Sequence, residues 1–394
     1  MRCGCVGARY AEAGENKETI MIWIFLFLGL FLCLIAGFLF LIHCIRKFHF
    51  VAVLSHDNKT AGLLISCAVC IIPMVLIWVL LGYMNAIIIL IHLVVFWGIA
   101  DWIRGMLIKY RKKEIRYHYT AMAAIVVTIL YLGVGALQAY HVWQTDYSIT
   151  TDKEVGTFRV ALFADSHVGT TFDGEGLAKH LARIQEQRPD VVVIAGDFVD
   201  EDSTREDMVN ACHALGELET PYGVYFVFGN HDKGKYSNGY RGYTGDDLIA
   251  ELEKNGVTVL QDEAVLIDDR FYLIGRQDAS EELDFGGSRA DMEELLNGLD
   301  KNKFSIVLDH QPRDYEAQAH AGADLVLSGH THGGQMIPLM QLDSLLHFGG
   351  NDNIYGMQHR SDTDYIVTSG ISDWAIKFKT GCRSEYVIID IIGK

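Results

Sequence analysis

Five short clusters of acids and imidazoles recur along this chain: Asp165-Ser-His167, Gly196-Asp197-Phe-Val-Asp200, Gly229-Asn230-His231-Asp232, Asp309-His310 and Ser328-Gly-His330-Thr-His332-Gly-Gly. Residues at alternate positions project to the same side where a strand runs out, so Asp165 and His167, or His330 and His332, can reach one cation. Any one such pair is more often structural than functional, and a lone histidine is more often a hydrogen-bonding residue. Five in succession make chance a poor explanation. The donors are carboxylate, amide and imidazole without thiolate, which suits Mn²⁺, Fe²⁺ or Zn²⁺ and argues against a structural thiolate zinc. Two such ions roughly 3.5–4 Å apart would share a carboxylate, lower the pKa of a bridging water and clamp the oxygens of an in-line phosphoryl displacement. The expected chemistry is hydrolysis of a phosphate ester.

Side chains so far apart in sequence need a scaffold that gathers them. From residue 157 onward, β-rich runs at Arg159 to Ala164, Val191 to Ala195, Val224 to Phe228, Phe271 to Gly275, Ser305 to Leu308 and Leu325 to Leu327 alternate with helical periodicity. The helical segments are Gly174 to Gln187, Arg205 to Leu218, Gly245 to Asn255, Arg289 to Leu299 and Arg313 to Ala319. This alternation predicts an α/β domain over residues 157–394. In such sheets ligands bind beyond the carboxyl ends of the strands, and that is where the five clusters fall.

The first part of the chain is of another kind. Apolar runs at residues 21–43, 61–81, 86–103 and 119–140 have the length of membrane spans, a bilayer core of about 30 Å needing about 20 helical residues. A polar N-terminal tail over residues 1–20, a transmembrane region over 21–145 and a polar linker over 146–156 complete the expected organisation. Residues 1–150 hold 12 Lys and Arg against 7 Asp and Glu, and the remainder holds 21 against 43. A part that acidic repels a nucleic-acid backbone, so bulk nucleic-acid binding is not expected. Arg46, Lys47 and Lys59, and Arg104, Lys109, Arg111, Lys112, Lys113 and Arg116, lie on one side of a four-span arrangement. Positive residues stay cytoplasmic, which makes this a multi-pass membrane protein with its catalytic domain extracytoplasmic. The Cys67-x-x-Cys70 pair lies inside an apolar run and reads as packing thiols.

Taken together, Asp-x-His, Gly-Asp-x-x-Asp, Gly-Asn-His-Asp, a lone His and Gly-His-x-His resemble the motif series of the calcineurin-like metallophosphoesterase superfamily, over residues 158 to 335. The four-span anchor before a Gly-His-Thr-His-Gly-Gly-Gln ending looks like its membrane-anchored bacterial branch. The resemblance implies a four-layer αββα sandwich and two divalent metal ions. One ion would be held by Asp165, His167, Asp197 and His332, the other by Asp197, Asn230, His310 and His330, with Asp197 bridging. It further implies that His231 donates a proton to the leaving oxygen or stabilises the transition state, and that Asp200 orients it. Two places depart from commoner forms: the lone His sits in Leu308-Asp309-His310-Gln311-Pro312, and Arg276-Gln277-Asp278 follows a strand where a substrate contact could fall, a surface or structural role being the favoured reading of Arg276.

The expected substrate is a phosphomonoester or phosphodiester, and the tether directs attention to lipid or envelope intermediates because it concentrates the site near the bilayer. The alternative is a membrane sensor or transport-associated protein that uses the metal domain for binding without turnover. His92 and Asp101, the main ionisable residues within the spans, offer little for transport.

Overall fold

The computed structural model describes residues 15–112, 114–116, 118–235, 241–346 and 350–394, so most of the expected N-terminal tail, residues 1–14, lies outside it. The chain divides into two compact units between Tyr131 and Leu132. The first is helical: α1 (Glu15–Ile45), α2 (His49–Ser55), α3 (Lys59–Leu81), α4 (Tyr83–Arg111) and the start of α5 (His118–Tyr140). Stretches of α1, α3, α4 and α5 are long and apolar enough to cross a membrane. Each expected span falls within one of them. The third runs on to Arg111, past the expected end at 103, because Arg104 to Arg111 keep a helical pattern while adding charge. Residues 15–20, expected as tail, are already the first turns of α1. Leu41, Cys44, Cys70, Leu90 and Trp97 are buried together, which gives Cys70 a packing place.

The second unit continues with β1 (Trp143–Thr150), β2 (Thr157–Phe163), α6 (Gly174–Glu186), β3 (Val191–Ala195), α7 (Arg205–Gly216), β4 (Val224–Val227), α8 (Gly245–Lys254), β5 (Val257–Val259), β6 (Glu263–Ile267) and β7 (Phe271–Gly275). It ends with α9 (Ser280–Leu283), α10 (Met292–Leu296), β8 (Phe304–Leu308), α11 (Tyr315–Ala321), β9 (Leu325–Ser328), α12 (Leu339–Leu346), β10 (Gly356–Arg360), β11 (Thr363–Val367) and β12 (Glu385–Ile392). Two six-stranded sheets result, ordered β1-β12-β2-β3-β4-β5 and β10-β11-β9-β8-β7-β6. Val160, Leu162, Val193, Leu273, Ile306, Leu327 and Ile389 fill the space between them. The outer face of the first sheet is covered by apolar side chains of α6, α7 and α8, and that of the second by those of α10 and α11. This is the expected four-layer αββα sandwich.

One expectation is corrected. The stretch read as a linker, residues 146–156, begins inside β1, which pairs in parallel with β12 from Trp143↔Glu385 to Thr150↔Ile392. An edge strand needs backbone pairing and little burial, and only Ile149 of its eight residues is buried. The polar sequence therefore carries no hydrophobic alternation to betray it. As a result only His141 and Val142 separate the end of α5 from the sheet.

Candidate metal centre

The parallel strands β2, β3 and β4 of the first sheet, and β8 and β9 of the second, deliver the five clusters to one end of the sandwich. Five of the residues concerned leave the strands in left-handed backbone, at φ 54° for Asp165, 36° for His167, 51° for Asp197, 70° for His330 and 48° for His332. Such conformations cost of order 1 kcal/mol each in non-glycine residues and gather at functional sites. Hydrogen bonds hold them. Asp232 is wholly buried, and its carboxylate accepts from the backbone N–H of Asp197 (2.8 Å), Phe198 (2.8 Å), Val199 (3.0 Å) and Gly229 (2.7 Å). It ties the loop after β3 to the loop after β4. Gly229 allows this approach, since a methyl group there would lie 2.2 Å from Oδ1 of Asp197.

Two groups of donor atoms converge. Asp165, His167 and His332 form one, and Asp197, His310 and His330 the other, each with ligand-capable atoms within 4.8 Å of one another. Nε2 of His167 lies 3.3 Å from Nε2 of His332 and 3.8 Å from Oδ2 of Asp197, and Nε2 of His332 lies 3.7 Å from Oδ1 of Asp165. Nε2 of His310 lies 3.1 Å from Oδ2 of Asp197 and 3.3 Å from Oδ1 of Asn230, an atom that is also 2.9 Å from Nδ1 of His330. Asp197 thus faces a histidine of each group. Imidazole nitrogens and carboxylates crowded together and buried are a poor arrangement for a packed core and a good one for divalent cations. The supports are directional: His310 Nδ1 is 2.7 Å from the Ala195 carbonyl, which turns Nε2 into the site, and the His330 N–H donates to both oxygens of Asp165 at 3.0 Å.

The charges respond to this crowding. Burial raises Asp165 to about 6 against the pull of His310. Burial also opposes ionisation of Asp197, but His310 and His231 outweigh it and hold that carboxyl well below the usual range. His330 is lowered to about 4 by burial and by His310.

The expected pairing of Asp200 with His231 is corrected. Oδ1 of Asp200 accepts from the N–H of Asp202 (2.9 Å) and Ser203 (3.1 Å), which commits it to the turn. Oδ2 then faces Nδ1 of His167 at 3.2 Å and accepts from Thr170 Oγ1 at 3.1 Å. Nδ1 of His231 instead lies 2.9 Å from Oε2 of Glu201. The sequence reading missed Glu201, which no motif marks. It also missed Trp374, whose ring lies 5.5 Å from that of His231 and whose indole N–H reaches Glu201 at 3.4 Å. Arg276 takes its structural place: its Nη1 donates to Asp309 (3.1 Å) and Asp314 (3.0 Å), and Arg289 donates to both oxygens of the wholly buried Asp309.

Residues 158–334 match the family described as Calcineurin-like phosphoesterase. The chain is 29% identical over 275 residues to an uncharacterized metallophosphoesterase of Campylobacter jejuni, covering 70% of this chain and 69% of that one. It is 31% identical over 286 residues to a transmembrane protein with metallophosphoesterase domain of Danio rerio, covering 68% of this chain and 62% of the relative. Among solved structures, TT1561 of Thermus thermophilus overlaps 55% of this chain and 90% of its own at 14% identity and a TM-score of 0.37.

Proposed function

Since residues 158–334 form a calcineurin-like metallophosphoesterase domain behind four apolar helices, we propose that this protein is a membrane-anchored hydrolase of phosphate esters whose centre takes two divalent cations. The observation that carries the reading is the meeting of Asp165, His167 and His332 with Asp197, His310 and His330 around a space bordered by Asn230. In this reading Asp165, His167, Asp197 and His332 hold one ion, Asp197, Asn230, His310 and His330 the other, and Asp197 serves both. The ions would be Mn²⁺, Fe²⁺ or Zn²⁺, as the oxygen and nitrogen donors suit.

When bound, such a pair supplies an activated water at neutral pH and neutralises charge on the phosphate. His231 does the proton work of the chain itself. Burial opposes its charge while Asp197 and Glu201 raise its pKa; with Asp197 engaged by a cation, the Glu201 carboxylate remains to hold the proton that a leaving oxygen needs. Glu201 orients the ring through Nδ1. Asp200 positions His167. The excess of Lys and Arg in 46–59 and 104–116 supports an extracytoplasmic catalytic domain, to be checked by protease access to the C-terminal unit in sealed vesicles.

The test is turnover of an aryl phosphate monoester and diester by the purified full chain with added Mn²⁺. Turnover that Asp197→Asn abolishes supports the hydrolase. Stoichiometric metal binding without turnover of either ester supports the sensor reading instead.

A further inference from the structure

Directly after the last metal-site motif the chain displays greasy residues to solvent. Ile337 is 45% exposed, and in α12 Leu339, Leu342 and Leu345 are 54%, 40% and 73% exposed. Spaced three apart, the leucines share one side of the helix. Apolar patches of this kind on a folded domain mark a surface that meets protein or lipid.

Their place in the unit decides between these. The last turns of α5 belong to the same compact unit as the catalytic domain, and they grip residues 378–384. The Lys379 N–H donates to the Gly135 carbonyl at 3.0 Å, and the Ser384 N–H and Oγ donate to the carbonyls of Gln138 (2.9 Å) and Ala139 (2.7 Å). Gly135 permits this contact, a methyl group there falling 3.0 Å from Thr380 Cγ2. The gripped segment in turn holds the loop of the metal site. Thr380 donates through its N–H to the Gln335 carbonyl at 2.9 Å and accepts through Oγ1 from the Ile337 N–H at 3.0 Å, and Cys382 Sγ lies 3.1 Å from the His332 carbonyl. Residues 332–334 carry α12 packed upon them.

A helix of 23 residues is about 35 Å long and matches a bilayer core of about 30 Å. Gly135 then lies about 8 Å inside the end of the span, at the depth of the headgroup boundary or just below it. Residues 378–384 are bonded to that level, and α12 is tied to them through the Ile337 N–H and through Met340, whose sulfur would lie 3.7 Å from a methyl group at Gly381. Val134 and Leu137 of α5 are themselves 56% and 61% exposed, so the apolar surface of the span runs to the turns that hold residues 378–384. Trp374, partly exposed beside His231, adds an amphipathic ring of the type found at membrane boundaries.

We propose that α12 lies in the surface of the leaflet that α5 enters, with Leu339, Leu342 and Leu345 among the acyl chains, and that the metal centre beside it takes the phosphate ester of a membrane-resident amphiphile. The substrate half of this proposal rests on the hydrolytic reading above; the membrane contact does not.

The two halves have separate tests. In full-length protein reconstituted into phosphatidylcholine vesicles, p-benzoylphenylalanine in place of Leu342 or Leu345 is expected to photo-crosslink to labelled lipid as it does in place of Leu130 of α5. In place of the exposed Lys301 it is expected to give no adduct. Positions 342 and 345 behaving like 301 would overturn the membrane contact. The variant Leu342→Asp with Leu345→Asp changes exposed positions only and is expected to hydrolyse soluble bis(p-nitrophenyl) phosphate at the parent rate. Its turnover of hexadecyl p-nitrophenyl phosphate in the vesicles is expected to fall about tenfold. Equal rates on both substrates, or equal losses, would overturn the amphiphile assignment. A parent protein inert toward both esters overturns the hydrolytic reading and the amphiphile assignment, and leaves the crosslinking result standing by itself.

Discussion

Oε2 of Glu201 lies 2.9 Å from Nδ1 of His231, while Asp200, its neighbour in the chain, turns the other way and brings Oδ2 to 3.2 Å from Nδ1 of His167. Adjacent acids in one turn therefore serve different histidines. One supports the proposed proton donor and the other a candidate metal ligand.

Glu201→Gln is expected to lower kcat on an aryl phosphate by about tenfold or more while metal content stays at the parent level. Asp200→Asn is expected to weaken metal binding about 10–100-fold, as loss of a carboxylate behind a ligating imidazole does. Metal titration and turnover measured on both variants separate the roles. A drop in kcat at full metal occupancy for Asp200→Asn alone would reverse them.

Metal should stabilise the catalytic unit as well as activate it. Asp165, Asp197, His167 and His310 are buried together, and a ligand bound only by the folded state at about 100 times its Kd adds about 2.7 kcal/mol. Manganese is expected to raise the thermal midpoint of the parent, a chelator to reverse the rise, and Asp197→Asn to show neither effect.

The pair of arginines on Asp309 is a stability element rather than a substrate contact. Removing the carboxylate leaves Arg276 and Arg289, both nearly wholly buried, with the half-exposed Asp314 in place of their buried counter-ion. Asp309→Ala is expected to cost about 3–5 kcal/mol of stability, read as a lowered thermal midpoint. Arg276→Ala is expected to destabilise in the same direction and to leave KM for an aryl phosphate unchanged in whatever fraction folds.

His180 of α6 gives a pH dependence away from the centre. Burial, then Arg183, His141 and Lys179, lowers its pKa to about 4 in the folded chain. Unfolded, it titrates near 6.5. As pH falls from about 6.5 toward 4 the unfolded chain takes up a proton that the folded chain refuses, so stability is lost in that window. Its partial exposure limits the contribution to about 1–2 kcal/mol. His180→Gln is expected to lose less thermal stability than the parent between pH 7 and pH 4.5, and an identical pH response in the two proteins would exclude the effect.

Much of this protein is legible without a structure. The candidate donors Asp165, His167, Asp197, Asn230, His310, His330 and His332 stand out because strand ends, glycines and imidazoles make short local patterns, and α1, α3, α4 and α5 because their continuous apolar runs reach the length of a membrane span. Partnership is another matter. The motif series marks Asp200 and not Glu201, and only the turn closed by Ser203 decides that Glu201 is the one that faces His231. β12 inserts between β1 and β2, which lie more than 200 residues earlier, and no local periodicity reports a pairing at that separation. Arg276 finds Asp309, and residues 378–384 find Gly135, in the same way. Local sequence sets what each segment can form and which groups it offers; which groups meet depends on long-range packing, whose energy belongs to no single segment.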